Sequence, residues 1–221
     1  MKKTFLAAVL LSTALAPAAA SAAPIITFTE GVYTAPALPD MRTVQNFDSA
    51  PDSGAAYVAG PGETVTGDAR VFSVTWPGTA VDPRNASGNH YLSIVNGSYS
   101  VALERPAAFF SFILGSLDNY NVLTFGYSDG TSQAFTGRQI IGAGSTGPFN
   151  SATSGRVSYN FSSGPSLTSA TFSSGTPSFE IDDIVSTAPE PASWAMMLLG
   201  VGAAGGVLRR RRTKSLRPQL A

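Results

Sequence analysis

The 221-residue chain contains no cysteine and a single histidine, His90. Without thiols there is no disulfide staple, no thiolate nucleophile and no Cys-ligated zinc, and a Ser-His-Asp arrangement would have to be built on that one imidazole. His90 sits between Asn89 and Tyr91 at the entrance to an alternating run, the setting of a surface or turn residue. Lysine is as sparse: Lys2, Lys3 and Lys214 all lie near the termini, and between residues 24 and 187 six arginines face thirteen Asp and Glu. The formal balance of zero for the whole chain therefore hides a central region near −7. Such a surface disfavours nucleic acid, and it disfavours bare anionic polysaccharide unless a cation bridges.

Long apolar runs are confined to the two ends. Lys2-Lys3 form a positive n-region, Phe5 to Leu15 an apolar h-region, and Ala20-Ser21-Ala22 a small-residue cleavage site, so residues 1–22 are expected to be a signal peptide removed by signal peptidase. A cut after Ala22 is preferred to one after Ala23, which would place the fixed ring of Pro24 directly downstream. The h-region is too short to span a bilayer.

At the other end, Ala195 to Leu208 carries no charge and is short for a hydrocarbon core of about 30 Å. Trp194 and the Arg209-Arg210-Arg211-Arg212 cluster extend its reach, since an indole prefers the headgroup level and arginines snorkel. The positive-inside rule keeps the arginines cytoplasmic and puts everything before Trp194 on the outer side. A soluble helix with a solvated basic face is the competing reading. The apolar run is uninterrupted around the helix, and its glycines weaken a soluble helix while suiting close packing in lipid.

Signal peptide, exported body, Pro189-Glu190-Pro191-Ala192-Ser193-Trp194, short apolar helix and arginine cluster, in that order, resemble the PEP-CTERM proteins of Gram-negative bacteria. The Trp-Ala variant of this tail has also been labelled after ice-binding proteins that carry it. The resemblance covers residues 188–212 and implies recognition and cleavage near Pro189 to Pro191 by an exosortase, a membrane-embedded cysteine peptidase, in organisms that make exopolysaccharide. It implies an inner-membrane precursor with its body in the periplasm and a mature form at or beyond the cell surface. Residues 213–221 continue past the arginines, where such chains commonly stop, and are expected to be a cytoplasmic tail.

The body, residues 24–187, is long enough for one domain with its own core. Short alternating runs separated by Gly, Pro, Asn, Asp and Ser clusters predict strands throughout: Ile25–Thr29, Arg42–Phe47, Arg70–Trp76, Tyr91–Val95, Tyr99–Leu103, Ala108–Leu114, Val122–Tyr127, Ser132–Phe135, Val157–Phe161, Leu167–Phe172 and Ser178–Val185. Asn96-Gly97 and Asp129-Gly130 read as type I′ hairpin turns. The expected fold is all-β, an antiparallel β-sandwich of jelly-roll type with Phe110, Phe112, Leu114, Leu123 and Phe125 in its core, flanked by the signal helix and a transmembrane helix.

Candidate chemistry is thin. Gly142-Ala143-Gly144-Ser145-Thr146-Gly147 matches a dinucleotide-binding string, but Pro148 follows where a helix would have to begin, so it reads as a glycine-rich loop. The N-x-Ser sequons at Asn85, Asn96 and Asn160 are chance composition in a bacterial chain. Asp118, Asp182 and Asp183 are candidate oxygen ligands for calcium, with turn carboxylates and a solvated strand face as the alternative. Alternation sends Glu180 and Asp182 to one face and Ile181 and Asp183 to the other, so Asp183 needs a partner or a metal. The segment from Phe109 to Phe125 resembles one recurrent in PEP-CTERM bodies and reads as strand, polar turn, strand.

Three functions follow as expectations. The first is a non-catalytic surface or matrix protein associated with exopolysaccharide. The second is a calcium-assisted carbohydrate-binding module stacking sugars on Trp76, Tyr57 or Tyr120. The third is a glycoside hydrolase using two carboxylates among Glu63, Glu104, Glu180 and the aspartates.

Overall fold

Among the described residues, alternation in the body becomes ten strands and one short 3₁₀ turn, Gly137–Ile141. The strands are β1 (Ile25–Glu30), β2 (Met41–Gln45), β3 (Glu63–Phe72), β4 (Tyr91–Ala107), β5 (Phe109–Leu114), β6 (Asn121–Tyr127), β7 (Ser132–Thr136), β8 (Gly155–Asn160), β9 (Leu167–Ser174) and β10 (Phe179–Thr187). This computed structural model describes residues 23–51, 54–75, 83, 90–142, 154–161, 164–187, 200, 201 and 209. The expected signal peptide, including Ala20 and Ala22, lies outside the described residues, as does most of the expected transmembrane segment.

Every ladder between these strands is antiparallel, in the order β1-β8-β5-β10-β4-β9-β6-β7, with β2 also on β10 and β3 also on β4. The 17-residue strand β4 joins two layers. Its first part, Leu92 to Ile94, pairs with Ile181 to Phe179 of β10; its later part, Gly97 to Ala102, pairs with Ser174 to Ser169 of β9. One sheet therefore curls over itself into a sandwich-like arrangement, as the all-β expectation requires.

The inward faces meet ring to ring. Phe112 of β5 lies edge-on to Phe172 of β9 at 5.0 Å, and Tyr159 of β8 edge-on to Phe125 of β6 at 4.8 Å. Edge-to-face pairs match the positive rim of one ring to the negative face of another, adding about 0.5–1.5 kcal/mol each to the burial of their area. All five expected core residues, Phe110, Phe112, Leu114, Leu123 and Phe125, are fully buried. This aromatic core supplies the stability that a cysteine-free domain cannot draw from disulfides.

Three local expectations change. Asn96-Gly97 is not a turn: β4 runs straight through it and pairs with β3, Gly97 opposite Gly67. Asp129-Gly130 does close the β6–β7 hairpin, but as a three-residue loop. The Gly130 N–H bonds Tyr127 O, the Tyr127 N–H bonds Thr131 O, and Gly130 has φ 82° while Asp129 has no positive φ. This is a type I turn followed by a left-handed glycine, not type I′, which needs positive φ at both central residues. Finally, β3 starts at Glu63 and ends at Phe72, whereas the sequence predicts Arg70–Trp76. The Glu63–Asp68 half alternates only weakly in hydropathy because much of it faces solvent.

Candidate functional site

Glu63 opens β3 and ties three strands together. Gln45 Nε2 of β2 and Tyr99 Oη of β4 both donate to Glu63 Oε1, at 2.7 and 2.8 Å; Tyr57 Oη and the Gly60 N–H donate to Oε2 at 2.8 and 2.6 Å. Burial pushes this carboxyl up, but the four donors outweigh it and hold it below the ordinary glutamate range. Burial, followed by bonding to Glu63, raises the tyrosine hydroxyls of Tyr99 and Tyr57. A carboxylate held ionised with its lone pairs occupied is built to hold strands and is badly placed to donate a proton as a general acid.

Beside this knot, β2 and the end of β4 diverge and leave a cleft of about 170 Å³, lined by Arg42, Glu63, Glu104, Arg105, Ser186 and an apolar floor that includes Val44 and Val101. The register of β10 explains the convergence. Ser186 pairs with Arg42, and the N–H of Ala108, three residues past Arg105, donates to Thr187 O at 3.0 Å. Nothing in the local sequence of Arg42 or Arg105 marks them as neighbours.

The acidic residues singled out in the sequence have different bonding partners. Glu180 and Asp182 share one face of β10 as alternation requires, and both are buried. The hydroxyls of Ser116 and Ser178 donate to Glu180, and Asp182 Oδ1 accepts the Asp183 N–H at 2.6 Å. Asp183 leaves the alternation: the ladders of β10 with β5 and β2 shift register around it, and its φ is 43°. The partner that it needs is Arg156 of β8, whose guanidinium forms an ion pair with its carboxylate. Burial lowers the Arg156 pKa, and Asp183 opposes that shift. Asp118 lies in the turn before β6, where its carboxylate accepts Tyr120 Oη at 2.8 Å and its N–H donates to Asn121 Oδ1 at 2.6 Å. Among the described residues no group of three or more His, Asp or Glu side chains is placed to hold a metal ion.

Of the expected sugar platforms, Trp76 lies outside the described residues. Tyr57 packs edge-on against Phe47 and Tyr99, with its hydroxyl tied to Glu63. Tyr120 is 38 % exposed, and its hydroxyl lies 2.6 Å from Pro177 O. It stands near a shallow groove walled by Asp68, Asn96, Thr176 and Pro177. His90 has its Nδ1 buried without a hydrogen-bond partner among the described residues, while its backbone N–H donates to Asp48 Oδ1 at 3.3 Å. Gly142 follows the 3₁₀ turn with φ 89°, and the rest of its glycine string lies outside the described residues.

The body ends as a strand locked on both sides. Thr187 pairs with Met41 of β2 and with Phe109 of β5. From that residue onward, 187–212 match the family model of the PEP-CTERM protein-sorting motif. The chain carries a PEP-CTERM sorting signal. Within it Pro189, Glu190, Pro191, Trp194, Arg210, Arg211 and Arg212 lie outside the described residues, while Gly200, Val201 and Arg209 are helical. Among the described residues no helix is long and apolar enough to cross a membrane.

No curated protein matches the chain. Among solved structures, the chain is similar to a glycoside hydrolase family 43 arabinoxylan arabinofuranohydrolase from Bacillus subtilis, at 14% identity and TM-score 0.33 over 58% of this chain and 27% of that one. The chain thus spans about a quarter of that enzyme's length. It is also similar to the family 11 carbohydrate-binding module of the cellulase Lic26A-Cel5E of Clostridium thermocellum, at 12% identity and TM-score 0.34 over 67% of this chain and 95% of that one.

Proposed function

We propose that the protein is an exported, exosortase-processed, non-catalytic component of the cell surface or extracellular matrix, associated with exopolysaccharide. The observation that carries this reading is the junction at Thr187. The sorting motif begins on the last residue of the last strand, so cleavage anywhere in Pro189 to Pro191 leaves every strand of the body intact. Signal peptidase removes residues 1–22, the apolar segment holds the precursor in the inner membrane with the arginines inside, and exosortase releases or transfers the body. Replacing Pro189 and Glu190 with alanine is expected to leave full-length precursor in the inner-membrane fraction. Normal surface delivery of that variant would overturn the reading.

Carbohydrate binding is the second reading, favoured by the partly exposed ring of Tyr120, whose hydroxyl reaches Pro177 O at the edge of the groove that Asp68 and Asn96 also line. A π-face with planar hydrogen-bonding neighbours suits a sugar ring. A calcium-assisted form and carboxylate-dependent hydrolysis have less support, because Glu63 is occupied by four donors and Glu180 is buried under two serine hydroxyls. If Tyr120→Ala binds the producer's own exopolysaccharide as well as the parent does, the groove is not the contact.

A further inference from the structure

We propose that the cleft between Arg42 and Arg105 binds the carboxylate of an acidic saccharide, a uronate unit of the surrounding polysaccharide. The proposal rests on the protein's working in such a layer, and it names a ligand class and a site that the sorting signal does not.

Arginine is scarce in this body, and most of the described copies are engaged. Arg70 pairs with Asp68, Arg156 pairs with Asp183, and Arg138 has an interaction of its own. Among the described residues of the body, Arg42 and Arg105 are the two arginines with neither an ion pair nor a hydrogen bond from the side chain, and they line the same cleft. In a domain near −7, two arginines from different strands line one cleft, where they offset the charges of Glu63 and Glu104 and give this part of the surface its cationic groups. A guanidinium offers a planar fork of donors that matches a carboxylate, and with both arginines exposed the pairing is open to salt.

The rest of the cleft suits a sugar. Its size admits about one pyranose ring and is small for a drug-sized ligand. Val44 and Val101 supply apolar lining for the C–H face of the ring, and Ser186 lines the cleft as well. Glu63 keeps its negative charge, because its donors Gln45, Tyr57, Gly60 and Tyr99 are neutral, but its oxygens are engaged by them and it pairs with neither arginine. Glu104 opposes the ligand more directly. Glu104 is exposed on the rim and makes no ion pair with either arginine, so its carboxylate repels an incoming uronate.

The test is calorimetric titration of the detergent-solubilised full chain with galacturonate oligomers and with neutral galactose oligomers of equal length. The acidic series is expected to bind and the neutral one not. Arg42→Gln and Arg105→Gln should each weaken binding about tenfold or more, the cost of one charge-assisted contact. Glu104→Gln should tighten binding, and raising salt from about 20 to about 300 mM should weaken it. Arg138→Gln, with the same charge change elsewhere, should leave it unaltered, and unchanged melting curves show that each variant is folded. Equal binding of both series, no binding at all, or an equal loss in Arg138→Gln overturns the proposal. So does acidic-oligomer binding that appears only in Glu190→Gln, since Glu190 lies three residues beyond Thr187 and that result assigns the cleft to the chain's own sorting segment. The mass of the processed protein reads the sorting reading separately, so either can fail alone.

Discussion

Gly67 and Gly97 face each other across β3 and β4 with no room for a side chain on either. A Cβ on Gly97 would stand 2.0 Å from Thr66 O, and one on Gly67 would stand 2.2 Å from Asn96 O. Both residues have positive φ, 139° and 72°, and the ladder shifts register just beyond them, between Asp68 and Ala69. This close crossing lets β4 continue past Asn96 and pass from β10 to β9. Gly97→Ala is therefore expected to destabilise the domain by about 2–4 kcal/mol in urea denaturation, from strain plus backbone displacement. A change below about 0.5 kcal/mol, the size of an ordinary surface effect, would contradict the crossing.

The Glu63 knot predicts an acid-sensitive fold. Its folded-state pKa is depressed from the ordinary 4.5, so its contribution is fully present above that value and is lost as pH falls through the lower, folded value. Between pH 7 and the region below 4.5 the parent should therefore lose more thermal stability than Glu63→Gln does. At neutral pH, Glu63→Ala should cost about 2–3 kcal/mol, because it orphans the buried Tyr99 hydroxyl. Parallel melting profiles of parent and Glu63→Gln against pH would contradict this.

Buried Arg156 and half-buried Asp183 form the ion pair that accommodates the irregularity of β10. Arg156→Ala should destabilise by about 3 kcal/mol, since it leaves a carboxylate without its counter-charge. Arg156→Met combined with Asp183→Asn should cost less than the single change, as a double-mutant cycle would read out. A double variant as damaged as the sum of its singles would mean that the two side chains act independently.

The junction at Thr187 predicts where the chain can be cut. A variant ending at residue 187 should melt like the body of the longer chain, because the register of β10 is complete. One ending at residue 178 should not fold, since β10 pairs with β2, β4 and β5. Circular dichroism of the two truncations decides this.

Strand positions and the aromatic core were legible because alternation is a local signal: Leu123, Phe125 and Tyr127 are buried with the period that their spacing predicts. The same locality misleads at Asn96-Gly97. A hairpin turn and a glycine crossing share one sequence signal there, and the residue that decides between them, Gly67, lies thirty positions away. The need of Asp183 for a partner was readable, but the identity of Arg156 was not, because β8 is brought to it only through β5. The Glu63 knot and the Arg42–Arg105 cleft draw single residues from distant strands and carry no motif at all. The sorting tail is the opposite case, since an address read as a linear peptide has to be written in consecutive residues.

The most direct test of the central claim is the intact mass of the protein recovered from producing cells with and without exosortase. The account predicts a product that lacks the signal peptide and ends within Pro189 to Pro191 when the peptidase is present. Without it, the recovered chain should retain everything through Ala221. An unchanged mass in the two strains, with residues 192–221 still attached in both, would contradict the account.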